Sequence, residues 1–191
     1  EAALGFASGM AAISATLLAH GRNGIVCVGD LYGGTQELLK NHCQALGIPV
    51  TFLFREEQDQ LAKTLTEPGK LVYFETPANP NMAILDIRTI AETAHQQGTL
   101  VAVDNTFASP INQKPLELGA DLVLHSATKY LGGHSDLTAG ALMTSASLAK
   151  PVVAWRKNLG QLIAPETAAL LSRSLRTLPL RVRQHNENAM A

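Results

Sequence analysis

The sequence has few cysteines, almost no net charge and no long apolar run, and each shortage argues against a class of protein. Its two cysteines, Cys27 and Cys43, lack zinc-ligand spacing, so no metal site is predicted, and such isolated thiols indicate a reducing compartment, the cytoplasm. A net charge of −1 without a basic block argues against nucleic acid and anionic membrane surfaces as partners. No apolar run approaches the ~20 residues that a membrane-spanning helix needs.

Linkers, long repeats and low-complexity segments are also missing. With 191 residues, 46% of them hydrophobic and 16% charged, the chain is long and apolar enough to bury one sizeable core. It starts at Glu1, without an initiator methionine or the charged segment and apolar core of a signal peptide. Because both ends lie in helical or apolar patterns, we expect a fragment of a longer protein, forming one large domain over residues 1–191.

Apolar strand patterns alternate with helical patterns along the chain. Strands are predicted at residues 24–29, 50–54, 70–75, 99–103, 121–124 and 139–143. Helices are predicted at residues 9–20, 36–46, 56–66 and 87–97, with about three more between 147 and the end. This order predicts an α/β fold, a doubly wound and mostly parallel sheet with helices on both faces.

The loop after the strand at 121–124 contains two hydroxyls and an amine, on Ser126, Thr128 and Lys129. Open α/β sheets bind their ligands at the carboxyl ends of the strands, where this loop begins. A lysine there can form a Schiff base if its amine is partly desolvated, and hydroxyls are suited to a phosphate. An aldehyde and a phosphate together describe pyridoxal phosphate (PLP). The alternative is that Lys129 is an ordinary solvated lysine.

Two further polar residues follow apolar strands. Asp104 ends the strand at 99–103, where a carboxylate is costly to bury unless a cation meets it. A protonated pyridine nitrogen is such a cation, and the pair would keep the PLP ring an electron sink; a helix-capping aspartate is the alternative. Asn79 follows the strand at 70–75, and its amide is predicted to bind a substrate carboxylate or a ring oxygen. The alternative for Asn79 is an Asx turn.

Tyr32 and the start of the first helix supply the remaining candidates. Tyr32 lies on a strand-to-helix loop beside two glycines, where its ring can stack on a planar ring or cover the sheet edge as a turn tyrosine. Ser8 fits the N-cap of the first helix, and Gly9 allows a phosphate to approach the free backbone N–H groups. An ordinary capped helix is the alternative. All candidates fall at strand carboxyl ends or a helix start, so a parallel sheet predicts that they share one edge.

Five segments together resemble the Cys/Met-metabolism PLP enzymes, at residues 8–11, 30–35, 74–80, 103–106 and 126–131. That family includes cystathionine γ-synthase, cystathionine γ- and β-lyases, methionine γ-lyase and the O-acylhomoserine sulfhydrylases. The likeness extends through nearly all of the chain. It implies the large domain of a fold type I, aspartate-aminotransferase-like enzyme.

The resemblance also implies a role for each candidate residue. Lys129 would be the Schiff-base lysine, Asp104 would bind the pyridinium nitrogen, and Tyr32 would stack on the ring and act as a base. Asn79 would lie near the ring hydroxyl and the substrate carboxylate. The other implied cofactor-binding residues, which include those of the phosphate site, are Gly9, Met10, Thr106, Ser126 and Thr128.

The implied activity is trans-sulfuration, a γ-replacement or γ-elimination on homoserine-derived sulfur amino acids. Methionine γ-lyase typically has cysteine where this chain has Gly34, which favours the cystathionine γ-synthase or γ-lyase type; methionine γ-lyase and O-acylhomoserine sulfhydrylase remain alternatives. Full members of the family form homodimers or homotetramers. They have an N-terminal arm with a Tyr-x-Arg segment and a C-terminal domain with a substrate-binding arginine, and neither is found within these residues.

Two other classes of function are alternatives to this one. A Rossmann dehydrogenase needs a Gly-x-Gly-x-x-Gly turn after the first strand, whereas the chain offers only Gly5-x-x-x-Gly9 and Gly29-x-x-x-Gly33-Gly34. A non-catalytic, truncated domain is the second alternative. Uptake of PLP at Lys129 separates both from the enzyme.

Overall fold

The computed structural model describes residues 1–191. Its strands are β1 (Ala2–Phe6), β2 (Ile25–Val28), β3 (Val50–Leu53), β4 (Leu71–Glu75), β5 (Leu100–Asp104), β6 (Leu122–Ser126) and β7 (Gly140–Thr144). Its α-helices are α1 (Gly9–His20), α2 (Gly33–Glu37), α3 (Leu61–Thr64), α4 (Ile87–Gln96), α5 (Ser109–Asn112), α6 (Ala146–Asn158), α7 (Pro165–Leu175) and α8 (Leu178–Met190). Short 3₁₀ helices occupy Arg55–Gln60 and Pro115–Leu118, and α2 continues as a π-helix over Leu38–Cys43.

The strands form one sheet in the order β1-β7-β6-β5-β4-β2-β3. Neighbours from β3 to β6 run parallel, whereas β7 is antiparallel to both β6 and β1. The carboxyl ends of β2, β4, β5 and β6 therefore share one edge, as the alternation of strands and helices predicted. Each of the six predicted strands is present within one or two residues of its expected bounds.

Strand β1 was not predicted from the sequence. It lies at the edge of the sheet and pairs only with β7, with Ala2 opposite Thr144 and Phe6 opposite Gly140. Only Phe6 in it is buried. Because an edge strand needs few buried apolar residues, the local apolar pattern of β1 is weak. The strand is defined instead by its pairing with β7, which lies far along the chain.

Helices cover both faces of the sheet, as predicted. α1 and α6 pack on one face, where Leu17 and Tyr73 are fully buried. α4 packs on the other face, where Phe74 and Ile90 are buried. Tyr73 and Phe74 are neighbours in β4 and enter opposite cores because successive side chains of a strand point to opposite faces.

The helical segments differ from the prediction in detail. The polar helix expected over 56–66 is instead a 3₁₀ segment followed by the single turn α3, because only Leu61 and Leu65 there are buried against the core. The three C-terminal helices are present, and α8 packs beside the loop that follows β6. No helix in the structure combines the length and the apolar character that crossing a bilayer requires.

Candidate active site

An open cavity of about 260 Å³ lies at the carboxyl edge of the sheet, beside the start of α1. It is lined by every residue predicted to belong to the site: Gly9, Met10, Tyr32, Asn79, Asp104, Thr106, Ser126, Thr128 and Lys129. Residues from four strand ends and one helix start meet there because parallel strands end at the same edge. The roles of these residues remain predictions.

Lys129 lies on a tight loop directly after β6. Its N–H donates to the Ser126 carbonyl at 3.1 Å, and its carbonyl accepts the Gly133 N–H at 2.7 Å. The Thr128 hydroxyl donates to the carbonyl of Ala139 at 3.2 Å and accepts its N–H at 3.1 Å, which ties the loop to the residue before β7. The Lys129 side chain is exposed and has no hydrogen bond or ion pair. These residues alone therefore do not supply the desolvation that the sequence argument required.

Asp104 is the last residue of β5 and is 9% exposed. It accepts the Thr106 N–H at 2.9 Å and the Thr106 hydroxyl, so it forms an Asx turn and also lines the cavity. The Thr106 hydroxyl accepts the Ser126 N–H at 2.7 Å, which links β5 to β6. No lysine, arginine or histidine pairs with Asp104, and burial raises the pKa of its carboxyl while the Thr106 donors oppose the rise.

Glu75 is a second buried carboxyl in the cavity, and the sequence analysis did not single it out. It ends β4 directly beside Asp104 on β5. Its Oε2 accepts the Tyr32 N–H at 3.0 Å, and its Oε1 accepts the Tyr73 hydroxyl at 3.3 Å. Burial, and then the negative charge of Asp104, raise the pKa of Glu75 to about 8. The pattern that marked Asp104, a carboxylate ending an apolar strand, would have identified Glu75 as well.

The start of α1 closes one side of the cavity. The Ser8 side chain accepts the Ala11 N–H at 3.0 Å, which leaves the N–H groups of Gly9 and Met10 without an acceptor within the helix. A Cβ atom at Gly9 would lie 2.8 Å from the Ser126 Cβ, so the helix start approaches β6 this closely only without a side chain. Free N–H groups and the adjacent Ser126 hydroxyl suit an anion.

Tyr32 and Asn79 lie on the loops that leave β2 and β4. Tyr32 is 50% exposed, and its hydroxyl has no hydrogen-bond partner in the chain. Asn79 is half-buried and its amide makes no hydrogen bond, so the alternative of an Asx turn does not hold at this residue. The Asx turn is formed by Asn81, whose Oδ1 accepts the Ala83 N–H at 3.1 Å. Both predicted side chains are therefore free to contact a ligand.

The sequence matches the family described as Cys/Met metabolism PLP-dependent enzyme over residues 1–191. The chain belongs to this family. A cystathionine gamma-synthase/O-acetylhomoserine (thiol)-lyase of Bacillus subtilis is 43% identical over 189 residues, which are 97% of this chain and 50% of the relative. An L-methionine gamma-lyase of Fusobacterium nucleatum is 41% identical and matches 99% of this chain and 49% of its own length.

The fold agrees with that of a solved PLP-family enzyme. A crystal structure of cystathionine gamma-lyase from Lactobacillus plantarum, complexed with L-serine, superposes with a TM-score of 0.83 at 38% identity. The match covers 94% of this chain and 48% of that structure. The predicted fold class is thus confirmed, and the chain spans about half the length of the relatives that it matches.

Pyridoxal phosphate, the cofactor of this family, fits the groups present in the cavity. A buried acid without a cation suits a protonated ring nitrogen, and an exposed amine suits an aldehyde. A side chain at residue 9 would fill the space next to the free N–H groups of the helix start. Glycine leaves that space open, so a phosphate can approach the N–H groups. The donor set therefore contains a partner for each polar end of the cofactor.

Proposed function

We propose that residues 1–191 form the PLP-binding large domain of an enzyme that performs γ-replacement or γ-elimination on homoserine-derived sulfur amino acids. The observation that supports it best is the cavity in which Lys129, the cation-free Asp104 and the start of α1 meet. Family membership supports PLP as the cofactor. The relatives named for cystathionine chemistry support the substrate class.

Three residues would carry the chemistry. Bound PLP would supply an electron sink for negative charge that develops on the substrate. Lys129 would hold the cofactor aldehyde, and its Nζ would move protons at the substrate α- and β-carbons. Asp104 would keep the ring nitrogen protonated through a buried ion pair. Tyr32 would stack on the ring and, as the phenolate, act as a base.

The remaining residues would bind and orient the cofactor and substrate. The N–H groups of Gly9 and Met10 and the Ser126 hydroxyl, which has no partner in the chain, would hold the phosphate. Thr128 would contribute less strongly because its hydroxyl already bonds the Ala139 backbone. Thr106 would hold Asp104 in place, and the free amide of Asn79 would bind the ring hydroxyl or the substrate carboxylate.

Within the family, methionine γ-lyase and O-acylhomoserine sulfhydrylase are the two alternatives to an enzyme of the cystathionine type. Relatives named cystathionine gamma-synthase/O-acetylhomoserine (thiol)-lyase, cystathionine gamma-lyase and L-methionine gamma-lyase are 43%, 41% and 41% identical, so identity does not separate them. Gly34 favours the cystathionine enzymes over methionine γ-lyase. We further propose a cytoplasmic homodimer or homotetramer for the full-length protein; the two free cysteines support a reducing compartment.

The test is uptake of PLP by the purified protein, followed by borohydride reduction and peptide mapping. We expect a yellow complex and a reduced adduct on Lys129. Lys129→Ala should lose both the visible absorbance band and the adduct, whereas Lys150→Ala, an exposed lysine on α6, should retain them.

A visible band and turnover that persist in Lys129→Ala would contradict the assignment. Failure of the unaltered protein to take up PLP would favour a non-catalytic domain. Turnover of cystathionine, methionine and O-acylhomoserines by the full-length protein, the last with an added thiol, would then separate the substrate alternatives. The leaving group differs in each case: cysteine from cystathionine, methanethiol from methionine and a carboxylic acid from an O-acylhomoserine.

A further inference from the structure

Glu75 contacts Tyr32 across the cavity and has no part in the roles assigned above. We propose that Glu75 is a positioning residue: by accepting the Tyr32 N–H, its carboxyl determines where the Tyr32 ring lies over the cavity. This inference rests on the proposed function, because the position of the ring matters for catalysis only if a planar cofactor binds beneath it.

Apart from Glu75, one polar contact holds Tyr32: its carbonyl accepts the Gln36 N–H of α2 at 3.0 Å. It precedes α2 with extended backbone angles, its side chain makes no hydrogen bond, and half of it is exposed. The ring lies over Gly34, where a Cβ atom would come within 2.7 Å of the Tyr32 Cε1. Its backbone N–H, which donates to Glu75 Oε2 at 3.0 Å, is therefore the polar contact that ties Tyr32 to the sheet.

Glu75 itself is firmly held. It is 5% exposed, it ends the central strand β4, and its second oxygen accepts the hydroxyl of Tyr73, which is fully buried. No lysine, arginine or histidine pairs with it. A carboxyl buried without a cation is costly for folding alone, which suggests that it serves another purpose.

The charge state of Glu75 determines which substitution mimics it. Burial and the adjacent Asp104 raise the pKa of Glu75 to about 8, so the neutral acid predominates at pH 7. In the neutral acid the oxygen facing Tyr73 carries the proton and donates to the Tyr73 hydroxyl oxygen, the reverse of the bond in the ionised form. Glutamine is then a close match, since its amide oxygen accepts the Tyr32 N–H and its NH₂ group donates to the Tyr73 hydroxyl oxygen. Leucine has a similar size and offers neither contact.

The experiment compares Glu75→Gln with Glu75→Leu at pH 7. Hydrogen exchange at the Tyr32 amide and the Kd for PLP should each change by about tenfold in the leucine variant, as expected for the loss of one hydrogen bond. Both should stay near the unaltered values in the glutamine variant. The exchange measurement needs no cofactor, so it tests the contact even if the proposed function is wrong.

A double-mutant cycle distinguishes positioning from a general loss of stability. If Glu75 acts through Tyr32, Glu75→Leu should add no further loss of PLP affinity in a Tyr32→Ala background. Thr144→Val is the control. It removes the buried hydrogen bond from the Thr144 hydroxyl to the Asp121 carbonyl, at the end of β7 away from the cavity, so it should lower the Tm without changing the Kd for PLP.

Two results would overturn the inference: unchanged Tyr32 exchange in Glu75→Leu, or losses of PLP affinity that simply add in the double variant. Absence of PLP binding by the unaltered protein would instead overturn the proposed function, together with the cofactor part of this inference. Faster Tyr32 exchange in Glu75→Leu alone would still support the backbone contact.

Discussion

Asp104 and Glu75 place two carboxyls side by side in the sheet without a cationic partner. Burial raises the pKa of both carboxyls, and the negative charge of Asp104 raises that of Glu75 further. The Thr106 N–H and hydroxyl help to keep the charge on Asp104. At the scale of the residue, the two buried carboxyls therefore destabilise the site when no cation is bound, and a cationic ligand would stabilise it.

Asp104→Asn should separate folding from cofactor binding. The amide keeps an acceptor for Thr106 but never ionises, so the free energy of unfolding without PLP should be unchanged or higher by about 1 kcal/mol at pH 7.5. PLP affinity should fall by about 30- to 1,000-fold, as for the loss of one partner from a buried charge pair. Urea denaturation and PLP titration measure the two effects; an unchanged Kd for PLP would contradict the role of Asp104.

At the scale of the element, α8 holds the loop that carries Lys129. The Arg181 guanidinium donates to the carbonyls of Tyr130 at 2.7 Å, Leu131 at 3.4 Å and Ser174 at 2.9 Å. Gly133 lies beneath it with φ +72°, and a side chain at that position would collide with Arg181 Nη1. The geometry of the Lys129 loop therefore depends on a helix about fifty residues further along the chain.

Gly133→Ala should destabilise the protein more than Gly47→Ala. Both glycines have φ +72°, so both variants incur the left-handed strain of about 1–2 kcal/mol, but only Gly133 faces Arg181. Displacing the guanidinium should cost about 1.5–3 kcal/mol more. Urea denaturation measures the difference, and it should disappear in an Arg181→Ala background. Equal losses in the two alanine variants would show that the contact with Arg181 has no energetic weight.

At the scale of the whole molecule, two sets of buried groups give stability opposite dependences on pH. His125 is 2% exposed, and burial lowers its pKa to about 4. Between about pH 6.5 and 4 the unfolded chain binds a proton that the folded chain excludes, so stability falls as the solution becomes more acidic. Glu75 has a raised pKa, so the folded chain keeps a proton that the unfolded chain releases above about pH 4.5, and stability falls as pH rises from there to about 8. Between about pH 4.5 and 6.5 the two effects oppose each other.

His125→Gln should remove the loss of stability that His125 causes on acidification, leaving the opposing effect of Glu75. The variant has no imidazole to protonate, so the loss of about 3 kcal/mol expected from His125 between pH 6.5 and 4 should be absent. Urea denaturation at half-unit steps of pH provides the measurement, with each protein compared with itself at pH 7. A change in stability between pH 6.5 and 4 equal to that of the unaltered protein would mean that His125 does not contribute to it.

The local sequence was sufficient to predict the sheet and the edge at which the candidate residues lie. Apolar runs such as 99–103 predict buried strands, and strands that alternate with helices run parallel, so that residues at their carboxyl ends meet. Asp104, Asn79 and Lys129 line one cavity for this reason. These predictions hold because they depend on the order of short patterns along the chain and on a general rule of topology.

Contacts between distant residues were decided only by the tertiary structure. The bond from the Tyr32 N–H to Glu75, the Arg181 contacts and the pairing of β1 with β7 each join segments whose own patterns do not name a partner. The sequence determined which groups reach the carboxyl edge of the sheet, whereas packing determined which of them are buried, bonded or left free. The physical reason is that burial and hydrogen bonding depend on what lies opposite in space, which no local pattern encodes.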